Sequence, residues 1–420
     1  MYLNKSIIQG NAHNIHLSEN SLLYVFNPDH DMALANFTRY YKMPGEIYKM
    51  SDDLSFLPVW YSLPDSVVKV NDPTKLDAFI DQTSHFRKFS ENDFTFDFSS
   101  NILCPWGWDP ALCHKINSSV VDGKVYNGFA FAEGRLCEVD LDRIRFLSSR
   151  QRCSEILSSV DLFGEAFSAY TVDEAIRISK SLGTDVILKS PWSGSGRGLL
   201  KLSSSSLLNN NVDPNSLGWI SRIIRNQGCI MVEPLYDKVC DFAMEFFSDA
   251  DGGVSFCGYS LFETDSHGNY KQNILMSDDN IESFLTKYIS NDLISYVKNK
   301  LLFSLKELIK GDYVGYLGVD MMVCKLDDTH CFYIHPCVEI NLRMNMGVVS
   351  RIFFDRYVAS HSIGKYIVEY FHNDGDAIKH HNELMDSYPL RLDDEGKILS
   401  GYLSLTPVVY STRYQIYVLI

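Results

Sequence analysis

Short apolar runs alternate with polar loops and amphipathic stretches along most of the chain. Residues 22–26 (LLYVF) predict a compact buried strand, which breaks into Asn27-Pro28-Asp29-His30-Asp31 and a helix-like MALANF. A strand running through a polar loop into a helix is how an open α/β sheet presents ligand-binding groups at its carboxyl edge. The same loop also reads as helix caps with a surface histidine. Residues 45–100 carry more short apolar runs broken by Pro58, Pro64 and Pro73. Residues 104–110 (CPWGWDP) form a tight aromatic turn, either a wall of a small-molecule site or a packed surface turn. Residues 143–156 predict a basic helix, with Arg143, Arg145, Arg150 and Arg152 offering one arginine to a phosphate or forming a solvated face.

The middle of the chain is more specific. Residues 171–182 predict an amphipathic helix with Thr171 as N-cap and Glu174 completing a capping box. Residues 184–202 (TDVILKSPWSGSGRGLLKL) read as strand, glycine-rich loop and strand. The glycines of that loop let backbone N–H groups turn onto an anion; the serines and Arg197 add donors, and Lys189 stands on the strand just before it. The lysine precedes the glycines and a strand follows them. That order excludes a Walker loop and a dinucleotide fingerprint. A ligand-free serine-rich hairpin turn is the competing interpretation. Residues 202–216 are serine- and asparagine-rich and predict a loop.

In residues 228–247, two strands are expected at 229–232 and 239–247, joined by Glu233 to Lys238. Asp241, Ala243 and Glu245 then share one face, because strand side chains alternate. Such a junction suits a flat heterocycle, with Asp241 toward ribose hydroxyls, or is a surface crossover. Residues 255–261 predict a strand, 264–273 a mobile polar loop, and 294–309 a core helix. In residues 315–346 a hairpin brings Asp320 near Glu339 and Asn341, the last two on one face with Arg343 following. Two carboxylates and an amide oxygen form a hard, all-oxygen set suited to Mg²⁺ held between protein and phosphate. Without a cation, carboxylates sharing a face would repel. The apolar C-terminal run YQIYVLI reads as a sheet strand or as the edge of a homodimer.

Composition narrows the partners. The 420 residues are 45% hydrophobic, long enough for two or three domains, and 38 basic against 53 acidic residues give a net charge of −15. No basic run offsets this, so a nucleic-acid backbone is an unexpected partner. The ten cysteines include no C-x-x-C pair and sit mostly among apolar neighbours, as reduced buried thiols do. No apolar run reaches the length of a membrane span, and the expected compartment is the cytoplasm.

Taken in order, the strand lysine with its glycine-rich hairpin, the Glu-x-Leu hinge, the aspartate strand and Glu-x-Asn-x-Arg resemble the ATP-grasp superfamily over about residues 150–350. The resemblance implies an α/β (α+β) architecture. A pre-grasp α/β domain would occupy 1–150, a lid subdomain 151–238, and a C-terminal subdomain with the metal site 239–420. It implies that Lys189 contacts the α- and β-phosphates of ATP and that Ser193, Gly194, Ser195 and Gly196 close over them. Glu233 would meet the adenine amino group, Leu235 would supply the hinge backbone contact, and Asp241 would hold the ribose. Asp320, Glu339 and Asn341 would be the Mg²⁺ (or Mn²⁺) ligands, and Arg343 would hold the reacting acylphosphate, with Lys271 and Asn345 as lesser substrate contacts. The implied chemistry joins a small-molecule or peptide carboxylate to an amine or similar nucleophile through an acylphosphate. Nucleotide binding without turnover, or phosphotransfer to a small hydroxyl compound, are the alternatives on the same fold. Gly318 stands where the dipeptide-ligase branch carries an arginine, which speaks against that branch.

Overall fold

The computed structural model describes residues 22–98, 102–117, 126–132, 135–194, 198–265, 270–326 and 331–420. Three main sheets organise these residues, and each follows from the apolar runs that build it. The first is parallel apart from its last pair, with the order Phe94–Thr95, Val67–Lys69, Leu22–Val25, Ile102–Pro105, Tyr126–Ala132, Arg135–Glu138. The sequence moves outward in both directions from Leu22–Val25. The gap between this strand and Ile102–Pro105 is therefore the topological switch point, where open α/β sheets collect ligands. Both loops leaving that point are ones that stood out in the sequence: Asn27 to Asp31, and Trp106 to Asp109.

The second sheet is small and antiparallel. It orders Phe167–Ala169, Ile230–Pro234, Val186–Lys189 and Leu199–Leu202, covered by the helices Val172–Ser181 and Pro214–Gln227 around Ala175, Leu188 and Ile220. Thr171 caps the first of these by accepting from the Glu174 N–H at 3.1 Å, while the Glu174 carboxylate reaches back to the N–H of Tyr170. Residues 202–216 are not all loop: Ser204–Leu208 is helical, because the Ser203 hydroxyl accepts from the N–H of Ser206 and so starts a turn.

The third sheet has eight strands in the order Cys331–Asn341, Gly315–Leu326, Asp237–Ser248, Val254–Thr264, Tyr270–Leu275, Gly364–Tyr370, Tyr414–Leu419 and Tyr402–Ser404. Tyr270 to Asn273, expected in a loop, belong to a strand here. The C-terminal run is no free edge, since Tyr414–Leu419 pairs on both sides. The long helix Asn291–Ile309 lies on this sheet with Val297, Leu301 and Leu305 fully buried. The first and third sheets share one core, in which Leu23 and Trp108 join Phe242 and Val319. Of the nine cysteines described, six are buried and all are free thiols. No described helix is long and apolar enough to cross a membrane.

Candidate active site

The site is built where the three sheets meet. On the second sheet, Lys189 and Glu233 extend from neighbouring strands, and their side chains form a buried ion pair, Nζ to Oε2, of 2.5 Å. Neither group is cheap to bury alone; each satisfies the other. Ile230–Pro234 ends the small sheet and Asp237–Ser248 opens the large one, so Leu235 and Tyr236 are the whole connection, shorter than the sequence predicted. The Leu235 N–H donates to the Asp185 carbonyl at 2.8 Å. The Tyr236 hydroxyl accepts from the N–H of Glu165 at 3.0 Å.

On the third sheet, register does the positioning. Asp320 lies directly opposite Glu339, Gly318 opposite Asn341, and on the other side Ala243 opposite Asp320. Cross-strand partners share a face, so Asp241, Glu245, Asp320, Glu339 and Asn341 all project to one side of the sheet. Loss of solvent first, then the charges of Glu339 and Glu245, push the Asp320 carboxyl well above the usual carboxylate range; the Asn341 amide opposes this by hydrogen-bonding it. Crowded carboxylates of this kind fit a hard cation. Among the described residues no group of three His, Cys, Asp or Glu side chains is placed to hold a metal. Asp241, one ladder step along, is held by Lys238 and, at 3.1 Å, by the Thr264 hydroxyl.

Arg150 ties the sheets together. The basic segment is two helices, Leu141–Leu147 and Gln151–Val160, and Arg150 sits at the break. Its guanidinium donates to the Ser190 carbonyl (2.8 Å), the Ser193 hydroxyl (2.5 Å) and the Glu339 carboxylate (2.7 Å). Burial would lower its affinity for the proton, but Glu339 outweighs that and raises it. Among the described residues, Arg150 hydrogen-bonds the glycine-rich loop while Arg145 stacks on Trp192 at its start. Ser195, Gly196 and Arg197 of that loop lie outside the described residues.

The first sheet supplies the last wall. Asp29 makes no side-chain cap to the helix His30–Asn36; instead the loop is clamped across the switch point. The Asn27 amide donates to the Gly107 carbonyl (2.8 Å) and to Asp109 (3.1 Å), and the Trp106 carbonyl accepts from the N–H of Met344 at 2.9 Å. Trp106 and Trp108 are buried, so the aromatic turn anchors this wall and does not line the Asp31 cavity. Arg343 then meets Asp31 in a bidentate pair of 2.8 and 2.7 Å. Burial would raise the Asp31 carboxyl, but the adjacent guanidinium overrides it and holds the group at about 2. A cavity lies between the walls, lined by His30, Asp31, Ser193, Glu339 and Asn341. His30 is fully enclosed against Gly107, and burial drops its imidazole to about 4, so it is neutral at pH 7.

Glu245 was legible only as a residue on the right face. It is fully buried, accepts from Ser260 (2.9 Å) and Asn345 (3.0 Å), and burial lifts its carboxyl to about 7. A Cβ on Gly318 would come within 2.5 Å of its Oε2, so this position, which lacks the arginine of another branch, is small because Glu245 fills the space. Asn345 is committed to Glu245 and to capping the helix Met346–Tyr357.

Among solved structures, the chain is similar to a biotin carboxylase from Campylobacter jejuni in its beta-gamma-ATP complex. The identity is 12% and the TM-score 0.51, over 95% of this chain and 87% of that one. It is also similar to N5-carboxyaminoimidazole synthase from Aspergillus clavatus, solved with ADP and 5-aminoimidazole ribonucleotide (12%, TM-score 0.47, 96% and 94%). A third is the biotin carboxylase domain of 2-oxoglutarate carboxylase from Hydrogenobacter thermophilus, solved with MgADP, ADP and bicarbonate (15%, TM-score 0.42); the match covers 67% of this chain and spans 63% of that one. No protein-family model matches the chain, and no curated protein does. A mostly parallel sheet, a small antiparallel sheet and a large antiparallel sheet, matched across nearly the whole chain, make this an ATP-grasp fold.

Proposed function

We propose that the chain is an ATP- and Mg²⁺-dependent ligase that joins a carboxylate to an amine, or a similar nucleophile, through an acylphosphate. The observation that carries this reading is Arg343. Its guanidinium already grips a carboxylate, that of Asp31, in the fork geometry a substrate carboxylate would adopt, on the wall beside Asp320, Glu339 and Asn341. The structural neighbours support the same class. The biotin carboxylase similar to this chain was solved as a beta-gamma-ATP complex.

In this reading Lys189, Arg150 and the Ser193–Gly194 backbone hold the triphosphate, and Glu233 with the Leu235 carbonyl accepts from the adenine amine. Asp241 is assigned to the ribose, and Ser195 and Gly196 to the closing loop. Asp320, Glu339 and Asn341 would hold Mg²⁺, which when bound neutralises charge on the transferring phosphoryl group. A carboxylate oxygen, oriented by Arg343, attacks the γ-phosphorus. The bond from phosphorus to the β-bridging oxygen breaks and ADP leaves. The nucleophile then attacks the acyl carbon, loses a proton, and releases inorganic phosphate. Positioning and electrostatic stabilisation supply the catalysis, so no side-chain nucleophile is needed. The division into residues 1–150, 151–238 and 239–420 belongs to the same proposal.

The test is hydroxylamine trapping. With ATP, Mg²⁺ and a panel of carboxylates, the correct acid should yield a hydroxamate and free phosphate. A stable phosphorylated product with no hydroxamate would replace the ligase with a kinase.

A further inference from the structure

His335 lies on the strand Cys331–Asn341 with no exposed surface, and among the described residues neither ring nitrogen has a hydrogen-bond partner. Two unpaired polar atoms in one enclosed ring are costly, and native structures rarely leave them so without a ligand or water to receive them. The position is informative. His335 is the cross-strand partner of Met322, which is itself the partner of Asp241, so the ring projects to the ligand face of the large sheet. It packs at 5.3 Å between centroids against Tyr236, half of the two-residue hinge. Tyr236 is fixed in turn by Glu165 and by Phe163 at 4.7 Å. Gly164 gives way to the ring: a Cβ there would come within 2.9 Å of His335 Nε2. Burial, followed by the charge of Lys189, lowers the imidazole to about 3.

The ring therefore stands between hinge, lid lysine and sheet floor, as a neutral group with one donor and one acceptor. A purine edge offers the complement, ring-nitrogen acceptors beside an exocyclic amine. We propose that His335 is a base-reading residue of the nucleotide pocket, hydrogen-bonding the purine of the bound nucleoside triphosphate. The inference rests on the nucleotide reading of the site and adds a specificity determinant to it. Glu233 faces the amine from the lid; His335 fixes the base from the floor.

Binding of Mg²⁺ with ATP, and of Mg²⁺ with inorganic tripolyphosphate, should be measured for the parent chain, His335→Leu and His335→Gln. His335→Leu should bind ATP about tenfold more weakly, the worth of one buried hydrogen bond. His335→Gln should recover most of that affinity, and tripolyphosphate should bind all three alike. Unchanged ATP affinity in a folded His335→Leu overturns the role of His335 alone. Failure of the parent chain to bind either probe overturns the nucleotide site, and this inference with it. Should the leucine variant not fold, the parent decides. The ¹⁵N resonances of its His335 ring, assigned by their loss in His335→Gln, should shift on ATP but not on tripolyphosphate. Equal responses to the two mean that the ring nitrogens serve water or the core.

Discussion

The Arg343 guanidinium holds the Asp31 carboxylate through two parallel hydrogen bonds although 312 residues separate them in sequence. This pair joins the switch point of the first sheet to the end of the strand Cys331–Asn341, and both partners are largely buried. Arg343→Met should cost about 2 kcal/mol of stability at neutral pH, because Asp31 is left charged and unpaired. Adding Asp31→Asn should return part of it. Urea unfolding of the two single variants and the double variant measures this; equal stability of parent and Arg343→Met would show that the pair is not structural. The acid limb carries a second signature. Asp31 is depressed from 3.8 to about 2, so its contribution is present above pH 4 and lost as pH falls through 2. Arg343→Met should lose that limb.

Glu245 has the opposite sign. Its carboxyl is raised from 4.5 to about 7, chiefly by burial, so the folded chain holds a proton that the unfolded chain has released. Its contribution is complete below pH 4.5 and lost as pH rises through 7. Asp109, also raised to about 7 by burial, works in the same window. Glu245→Gln should therefore flatten part of the fall in stability between pH 5 and 7 and leave the Asp109 share. An unaltered slope in that variant would place the proton elsewhere.

Glu339→Gln removes one of two facing carboxylates. Mg²⁺-dependent phosphate release should fall at least a hundredfold, while circular dichroism stays that of the parent. Asp320 should also move. With the Glu339 charge gone its carboxyl should titrate lower, which ¹³C NMR of the labelled aspartates can follow. Full turnover in this variant would remove the metal assignment.

A Cβ on Gly194 would fall on the Asp31 carboxylate, which cannot swing away because Arg343 holds it. Gly194→Ala should thus weaken ATP binding several-fold by displacing the loop. The loss should be smaller in a Gly194→Ala/Asp31→Gly background, where the space is open. Equal losses in both backgrounds would mean that the loop responds to the added methyl alone.

Strand period made much of this site legible in advance. Asp320, Glu339 and Asn341 were found by alternation along a hairpin, and the register confirms that they share a face. Lys189 and its loop were found by glycine spacing between two strands that do pair. What local pattern does not encode is which distant groups meet. Asp29 to Asp31 read first as helix caps, and only tertiary packing makes Asp31 the partner of Arg343. Arg150 was one of four arginines until the helix break aimed it at Ser193 and Glu339. Glu245 and His335 looked like ordinary strand positions. Their character comes from burial, which no single-strand pattern reports.

The most direct measurement is a thermal-shift titration with ATP and Mg²⁺, separately and together, on the parent chain and on Glu339→Gln. At about 100 times the dissociation constant, a bound ligand adds about 2.7 kcal/mol of apparent stability. The parent should show a shift that needs both components, and Glu339→Gln should lose the Mg²⁺-dependent part. No shift in the parent at saturating ATP and Mg²⁺, or the same shift in both proteins, would contradict a site in which Asp320, Glu339 and Asn341 hold a metal against the nucleotide.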